Sequence, residues 1–208
     1  MMNKDSPKII VIHDDLAEND PLIVELRAKY GTENVVFKKR SQEGLDYVLA
    51  NLSQKAIVIL DLKFKADEPS GVSVFESIRQ KTSLIYIIVW TANSLNAVGQ
   101  EDLVKFINND ALAFVSSTES YETVMQLVDK AVHELDTRVA SVIEQWINRQ
   151  PDSDKTQPYI ISESGQQYSL AKILEEIRLE TSFGKEMEKN ILLLAVNLLV
   201  RQKEKVND

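Results

Sequence analysis

Apolar and polar residues fall into an alternating rhythm along this chain. Five short, almost unbroken apolar runs stand out: Lys8–His13 (KIIVIH), Val35–Phe37, Ala56–Leu60 (AIVIL), Leu84–Trp90 (LIYIIVW) and Ala111–Val115 (ALAFV). Runs of this length and continuity predict strands buried on both faces. Between them, apolar residues recur every three or four positions, the spacing of an amphipathic helix. The first helix is announced by Asp20–Pro21, an N-cap followed by proline at the first helical position, and is carried by Leu22, Ile23, Leu26 and Tyr30 up to a stop at Gly31. Ser41 caps a second, with Leu45, Val48, Leu49 and Leu52. Ser70–Gln80 gives a third, with Val74, Phe75 and Ile78 inward, and Leu95–Ile107 a fourth that Gly99 weakens. Strands alternating with helices imply βαβ units and a parallel sheet, and right-handed crossovers place helices on both faces.

The remainder follows a different pattern. A stripe of Val124, Val128, Ala131, Leu135, Val139, Val142 and Trp146 predicts a single helix from Ser120 to about Arg149, longer than one domain needs. Arg149–Gln157 is polar and predicts a linker. Tyr159–Ile161 and Gln167–Tyr168 flank SESG and predict a short hairpin. Ser169 caps a helix with Leu170, Ile173, Leu174 and Ile177, and Thr181 or Ser182 opens a last one. Within it, ILLLAVNLLV (191–200) is apolar nearly all round, which predicts burial in a bundle or a dimer. The expected division is residues 1–130 as one α/β domain, 131–157 as extended helix and linker, and 158–208 as a small, mainly helical module.

Composition narrows the choice. The chain has 208 residues, 44% of them hydrophobic, and a net charge of −8. That balance disfavours nucleic-acid binding, which needs clustered Lys and Arg, and no basic helix-turn-helix is present. There are no cysteines, so disulfides and thiolate metal sites are excluded. No run reaches the roughly 18 apolar residues of a membrane span, and the start lacks the apolar region of a signal peptide. The expectation is a cytoplasmic protein that binds no membrane.

Polar residues then acquire meaning from where the strands end. In open parallel sheets, ligands bind at the carboxyl ends of the strands. Asp14 and Asp15 end the first strand, Asp61 the third, Thr91 the fourth, and Ser116–Ser117 the fifth. A lone carboxylate at a strand end is more often a cap or turn residue. Three gathered at one edge repel one another unless a hard cation neutralises them, and an oxygen donor set suits Mg²⁺. His13 reads as a packed or hydrogen-bonded side chain, and Trp90 as a packing residue.

Residues 8 to about 130 resemble a response-regulator receiver domain. The resemblance rests on VIHDDL, VILDL, IIVWTAN and ALAFVSS, and on the spacing from Asp61 to Thr91. It implies a doubly wound, flavodoxin-like five-stranded sheet of order 2-1-3-4-5. It implies that Asp14, Asp15 and Asp61 hold Mg²⁺, and that Asp61 takes a phosphoryl group, usually from a histidine kinase. Thr91 would be the switch hydroxyl and Phe114 the switch aromatic. The chain departs from the family at the usual lysine, whose place falls on Ser117, followed by Thr118 where proline is usual. No Lys or Arg lies between Phe106 and Lys130. Ser117 can donate a hydrogen bond but carries no charge, and Lys63 and Lys65 read as solvated loop residues.

Two versions of the site follow: a receiver that is still phosphorylated, or a degenerate one kept for binding proteins. Either is a two-component signalling protein rather than an enzyme, acting through regulated protein–protein association and as a homodimer. The rival is a Mg²⁺-dependent phosphohydrolase with an aspartate nucleophile. It needs a second Asp two residues on, where this chain has Lys63. A ligand-free scaffold is the third reading.

Overall fold

The computed structural model describes residues 6–91, 99, 101–103, 106, 113–116, 119–162 and 165–206. The chain divides into two compact units, Met1–Asp136 and Thr137–Asp208.

In the first unit, β1 (Lys8–Ile12), β2 (Val35–Lys38), β3 (Ala56–Leu60), β4 (Tyr86–Thr91) and β5 (Ala113–Ser116) form one parallel sheet of order β2-β1-β3-β4-β5. Every residue of β3 is buried, as is every residue of β1 after Lys8, which is why both strands were legible as continuous apolar runs. Register is set by pairs such as Ile10 with Val58 and Ile59 with Ile88. Side chains alternate between the two faces, so the sheet feeds two cores. One gathers Ile9, Val11, Ile57, Ile59, Ile88 and Trp90 against Leu22, Leu26, Val124 and Val128. The other gathers Ile10, Ile12, Val58, Leu60, Ile87 and Val89 against Leu45, Val48, Phe75 and Ile78.

The helices are α1 (Pro21–Tyr30), α2 (Ser41–Ala50), α3 (Gly71–Arg79) and α4 (Tyr121–Thr137). Asp20 caps α1 as expected, accepting from the Leu22 amide at 3.1 Å, and Gly31 ends it at φ 93°. Ser70 caps α3 through the Ser73 amide. Ser41 does not cap α2. It is the first helical residue, and its hydroxyl donates to the Pro69 carbonyl at 2.7 Å. The cap comes from elsewhere in the chain: the Glu68 carboxylate accepts from the Gln42 amide at 3.1 Å. Most of the helix expected over Leu95–Ile107 lies outside the described residues, of which 101–103 and 106 are helical.

The single helix expected from Ser120 to Arg149 is two. Arg138 is extended, at φ −69° and ψ 125°, and separates α4 from α5 (Val139–Asn148). The interruption rephases the apolar face. Ala140, Ile143 and Ile147 point inward, whereas Val142 and Trp146, expected on the buried stripe, are exposed.

The second unit continues with α6 (Asp152–Thr156), one helical turn in the expected linker. Then come the antiparallel pair β6 (Pro158–Ile161) and β7 (Gln167–Ser169), α7 (Leu170–Arg178) and α8 (Ser182–Val206). Ser169 caps α7 as expected, and Thr181 accepts from the Gly184 amide at the start of α8. Tyr168 stacks on Phe183 with ring centroids 4.0 Å apart. A buried ion pair joins α5 to α7, with Glu144 2.7 Å from Arg178. Among the described residues no helix is long and apolar enough to cross a membrane.

Candidate functional site

The sheet delivers its polar strand ends to one edge. At the end of β1, the His13 amide donates to the Lys38 carbonyl, and the Asp61 amide at the end of β3 donates to the Ile12 carbonyl, each at 3.0 Å. These two bonds carry the ladders one residue past the strands and fix His13 and Asp61 side by side.

Asp61 is 4% exposed. Its carboxylate accepts the Leu62 amide at 2.7 Å, together with the Lys63 amide and the Thr91 hydroxyl. Burial pushes its pKa above the ordinary carboxylate range, and the nearby His13, the two amides and Thr91 oppose that rise. The loop conformation that presents both amides is closed by the Gly71 amide, which donates to the Leu62 carbonyl at 3.1 Å. Gly71 permits this approach because it has no Cβ: one added there would meet the Asp61 carbonyl oxygen at 2.0 Å.

Asp14 is partly buried and Asp15 is exposed. One ligand atom each from His13, Asp14 and Asp61 lie within 4.8 Å of one another. Ligands around a single Mg²⁺ at about 2.1 Å stand up to roughly 4.2 Å apart, so side-chain shifts of under an ångström close this set on one ion. The two carboxylates are the hard oxygen donors Mg²⁺ prefers, and the raised pKa of Asp61 marks a buried charge that a cation would offset. Asp15 stands outside this group. Its backbone amide donates to His13 Nδ1 at 3.3 Å.

His13, read from the sequence as a packed or hydrogen-bonded side chain, is both. It is buried, and packs against Trp90 with ring centroids 5.1 Å apart, as a packing reading requires. It also lies beside both carboxylates. The available signal was its position, immediately before an acidic pair at a strand's carboxyl end.

Thr91 is 3% exposed and ends β4 opposite Ser116 on β5. Phe114 is half-buried on β5, edge-on to Phe106 at 4.8 Å, within the α2–α3 core. Ser117 and Thr118, at the positions of the usual lysine and proline, lie outside the described residues. Lys63 and Lys65 are exposed. A cavity of about 420 Å³ opens beside Asp14, lined by Lys39, Arg40, Phe64, Lys65, Asp67 and Glu68. Glu68 in this lining accepts from the Gln42 amide and pairs with Arg40.

No protein-family model matches the chain, and no curated protein matches it in sequence. Solved structures do match in shape. The signal receiver domain of a Luxo repressor protein from Vibrio parahaemolyticus superposes with TM-score 0.50 at 16% identity, over 62% of this chain and 91% of that one. The N-terminal domain of an uncharacterized protein from Wolinella succinogenes gives 0.51 at 16%, over 64% and 99%. NtrX from Brucella abortus gives 0.52 at 13%, over 76% and 31%. At these identities the likeness is one of fold. With its strand order and its acidic strand ends, the first unit of this chain has the fold of response-regulator receiver domains.

Proposed function

We propose that the chain is a cytoplasmic two-component signalling protein whose first unit receives a phosphoryl group on Asp61 and whose second unit makes the associations that pass the signal on. The observation that carries this reading is the setting of Asp61. It is a buried carboxylate at the carboxyl end of a central parallel strand, oriented by two amides and the Thr91 hydroxyl, with Asp14 beside it. An aspartate so held presents one fixed oxygen to a phosphorus atom. Asp14 and Asp61, with Asp15 at the rim, would hold Mg²⁺, which would supply positive charge to offset an incoming phosphoryl group. Thr91 then hydrogen-bonds the new phosphoryl oxygens, and Phe114 follows Thr91 inward. Ser117 takes the lysine's place as a donor. The partners are a histidine kinase as donor and a signalling protein or second copy of the chain as target. The chain itself is no enzyme with turnover.

The test is incubation with acetyl phosphate and Mg²⁺ followed by intact-mass measurement. One added phosphoryl group, lost in Asp61→Asn, is expected. Steady phosphate release would instead support the hydrolase.

The degenerate version draws on one specific observation, the absence of any Lys or Arg between Phe106 and Lys130. In that version the same incubation adds no mass, and binding to the partner is insensitive to Mg²⁺.

A further inference from the structure

Of the eleven large apolar side chains exposed among the described residues, ten lie in the second unit and Val24 alone in the first. They fall in two groups. Leu192, Leu193, Leu194, Val196 and Leu198 are each about half exposed on α8. Val142, Trp146 and Tyr159 line a groove, whereas Ile161 and Leu179 are not part of its lining. The groove encloses about 540 Å³ and is walled by α5, β6, α7 and the Met187–Ile191–Leu194 stripe of α8. Monomeric proteins rarely leave so many large apolar side chains of one small unit in water.

The helix itself explains why its own unit cannot cover it. The 25 residues of α8 span about 37 Å. Its beginning is clamped: Gly184 sits so close to α7 that a Cβ would meet the Glu176 carbonyl oxygen at 2.3 Å. From Ile191 to Val200 the sequence is apolar on nearly every side, with Asn197 the single polar residue. At 100° per residue, Leu194 and Leu198 continue the groove-facing stripe, whereas Leu192, Leu193 and Val196 point the opposite way. One groove cannot bury both faces.

We infer that two copies of the chain associate through this unit, the Ile191–Leu198 segment of each α8 lying across the apolar groove of the other. A second copy is the occupant that brings a groove and an all-round apolar helix together, so one two-fold contact covers both on each side. The segment ILLLAVNLLV contains no charged residue, so it carries no pattern for selecting a partner of complementary charge. Eight half-exposed large side chains per copy, on α8 and along the groove, leave apolar surface of the order that stable interfaces bury, about 800 Å² per partner. The inference deepens the association half of the proposed function and is independent of chemistry at Asp61.

Sedimentation of the full chain at about 1 to 100 µM should give a dimer, twice 23.6 kDa. Leu194→Lys and Val196→Glu should each shift dissociation at least 100-fold towards monomer, with circular dichroism unchanged because both sites are exposed. Val24→Glu should leave the dimer intact. Because the chain has no cysteine, single substitutions Leu192→Cys, Leu193→Cys and Val196→Cys provide a second reading that does not depend on tolerating a charge. At least one should cross-link two copies on mild oxidation. A monomer throughout the range, a monomer that partitions onto phospholipid vesicles, or a dimer indifferent to the charged variants with no cross-link would overturn the inference. Phosphorylation and sedimentation of the same wild-type chain separate the two readings. A dimer without phosphorylation of the wild type refutes the receiver chemistry alone, and phosphorylation without a dimer refutes this interface alone.

Discussion

Replacing Gly71 by alanine tests whether the acidic loop is held by a close backbone approach. Gly71 opens α3, and its missing side chain leaves room for the end of β3. A Cβ there would lie 2.0 Å from the Asp61 carbonyl oxygen, 2.6 Å from Leu62 Cα and 2.9 Å from the Asp61 carbonyl carbon. All three are backbone atoms, so no rotamer change relieves them. Ordinary contact begins at 3.4 Å, so α3 and the loop must separate by 3.4 − 2.0 = 1.4 Å. That movement stretches the 3.1 Å bond from the Gly71 amide to Leu62 and displaces the two amides that orient Asp61. Overpacking of this kind costs about 1–3 kcal/mol, and rigid neighbours put Gly71→Ala near 3. With a urea dependence of about 1.5–2 kcal/mol per molar, the midpoint of the first unit falls by roughly 1.5–2 M. The chain has two units, so one global transition cannot be assumed. Trp90 reports the first unit and Trp146 the second, and a Trp146→Phe background isolates the relevant transition. Gly165→Ala is the comparison: nothing lies within 4 Å, and only its φ of +82° opposes a side chain, at about 1 kcal/mol in the other unit. A Gly71→Ala midpoint within about 0.3 M of the parent, with Asp61 still accepting phosphoryl, would refute the argument.

Burial holds the Asp61 pKa above its unfolded value, so the native state keeps a proton that the unfolded chain loses as pH rises through that window. In chelator, wild type should therefore lose stability relative to Asp61→Asn as pH rises from the ordinary carboxylate range towards neutrality, and parallel pH profiles by urea titration would contradict this. Asp129 shows the opposite sign. Burial works against its charge, but Lys29 at 2.6 Å and the Tyr30 hydroxyl hold it below the ordinary range, so its contribution is present at neutral pH and lost on acidification. Both ion-pair side chains are nearly half exposed, so Asp129→Asn should cost under about 1 kcal/mol at pH 7, and less in high salt. Arg178→Ala removes the cation paired with Glu144, which is 5% exposed, and should destabilise the second unit by about 3 kcal/mol. The double variant Glu144→Leu/Arg178→Met should recover most of that loss, as read by the Trp146 transition.

The sequence made legible whatever a single segment decides. β3 was found residue for residue, and β1 to within one, because strands buried on both faces need no partner's identity to be recognised. Asp20 and Ser169 were legible as caps because each bonds its own helix, whereas Ser70, read as the first residue of its helix, is the residue that caps it. Ser41 was not, because its competitor Glu68 arrives from a distant loop and takes the Gln42 amide. The break at Arg138 has no Gly or Pro to announce it. The Arg138 guanidinium pairs with Glu180, 42 residues on, and the apolar spacing runs through the interruption as if it were absent. Leu84 and Ile85 extended the predicted fourth strand because they are buried, yet they precede the ladder, which begins at Tyr86. At the site, the strand-end rule brought Asp14, Asp61 and Thr91 to the right edge. It did not value His13, whose nearness to both carboxylates depends on how β1 and β3 align.

The sheet's two borders bear on what this molecule avoids. Among the described residues β2 and β5 are each four residues long, and β2 runs out into Lys38, Lys39 and Arg40. A border this short offers few free amides and carbonyls to a stranger's strand, and three successive cations repel a like border brought alongside. Growth of one sheet into the next, the route to cross-β aggregates, is thereby discouraged at β2, and crowding in the cell should not string these molecules together along that margin.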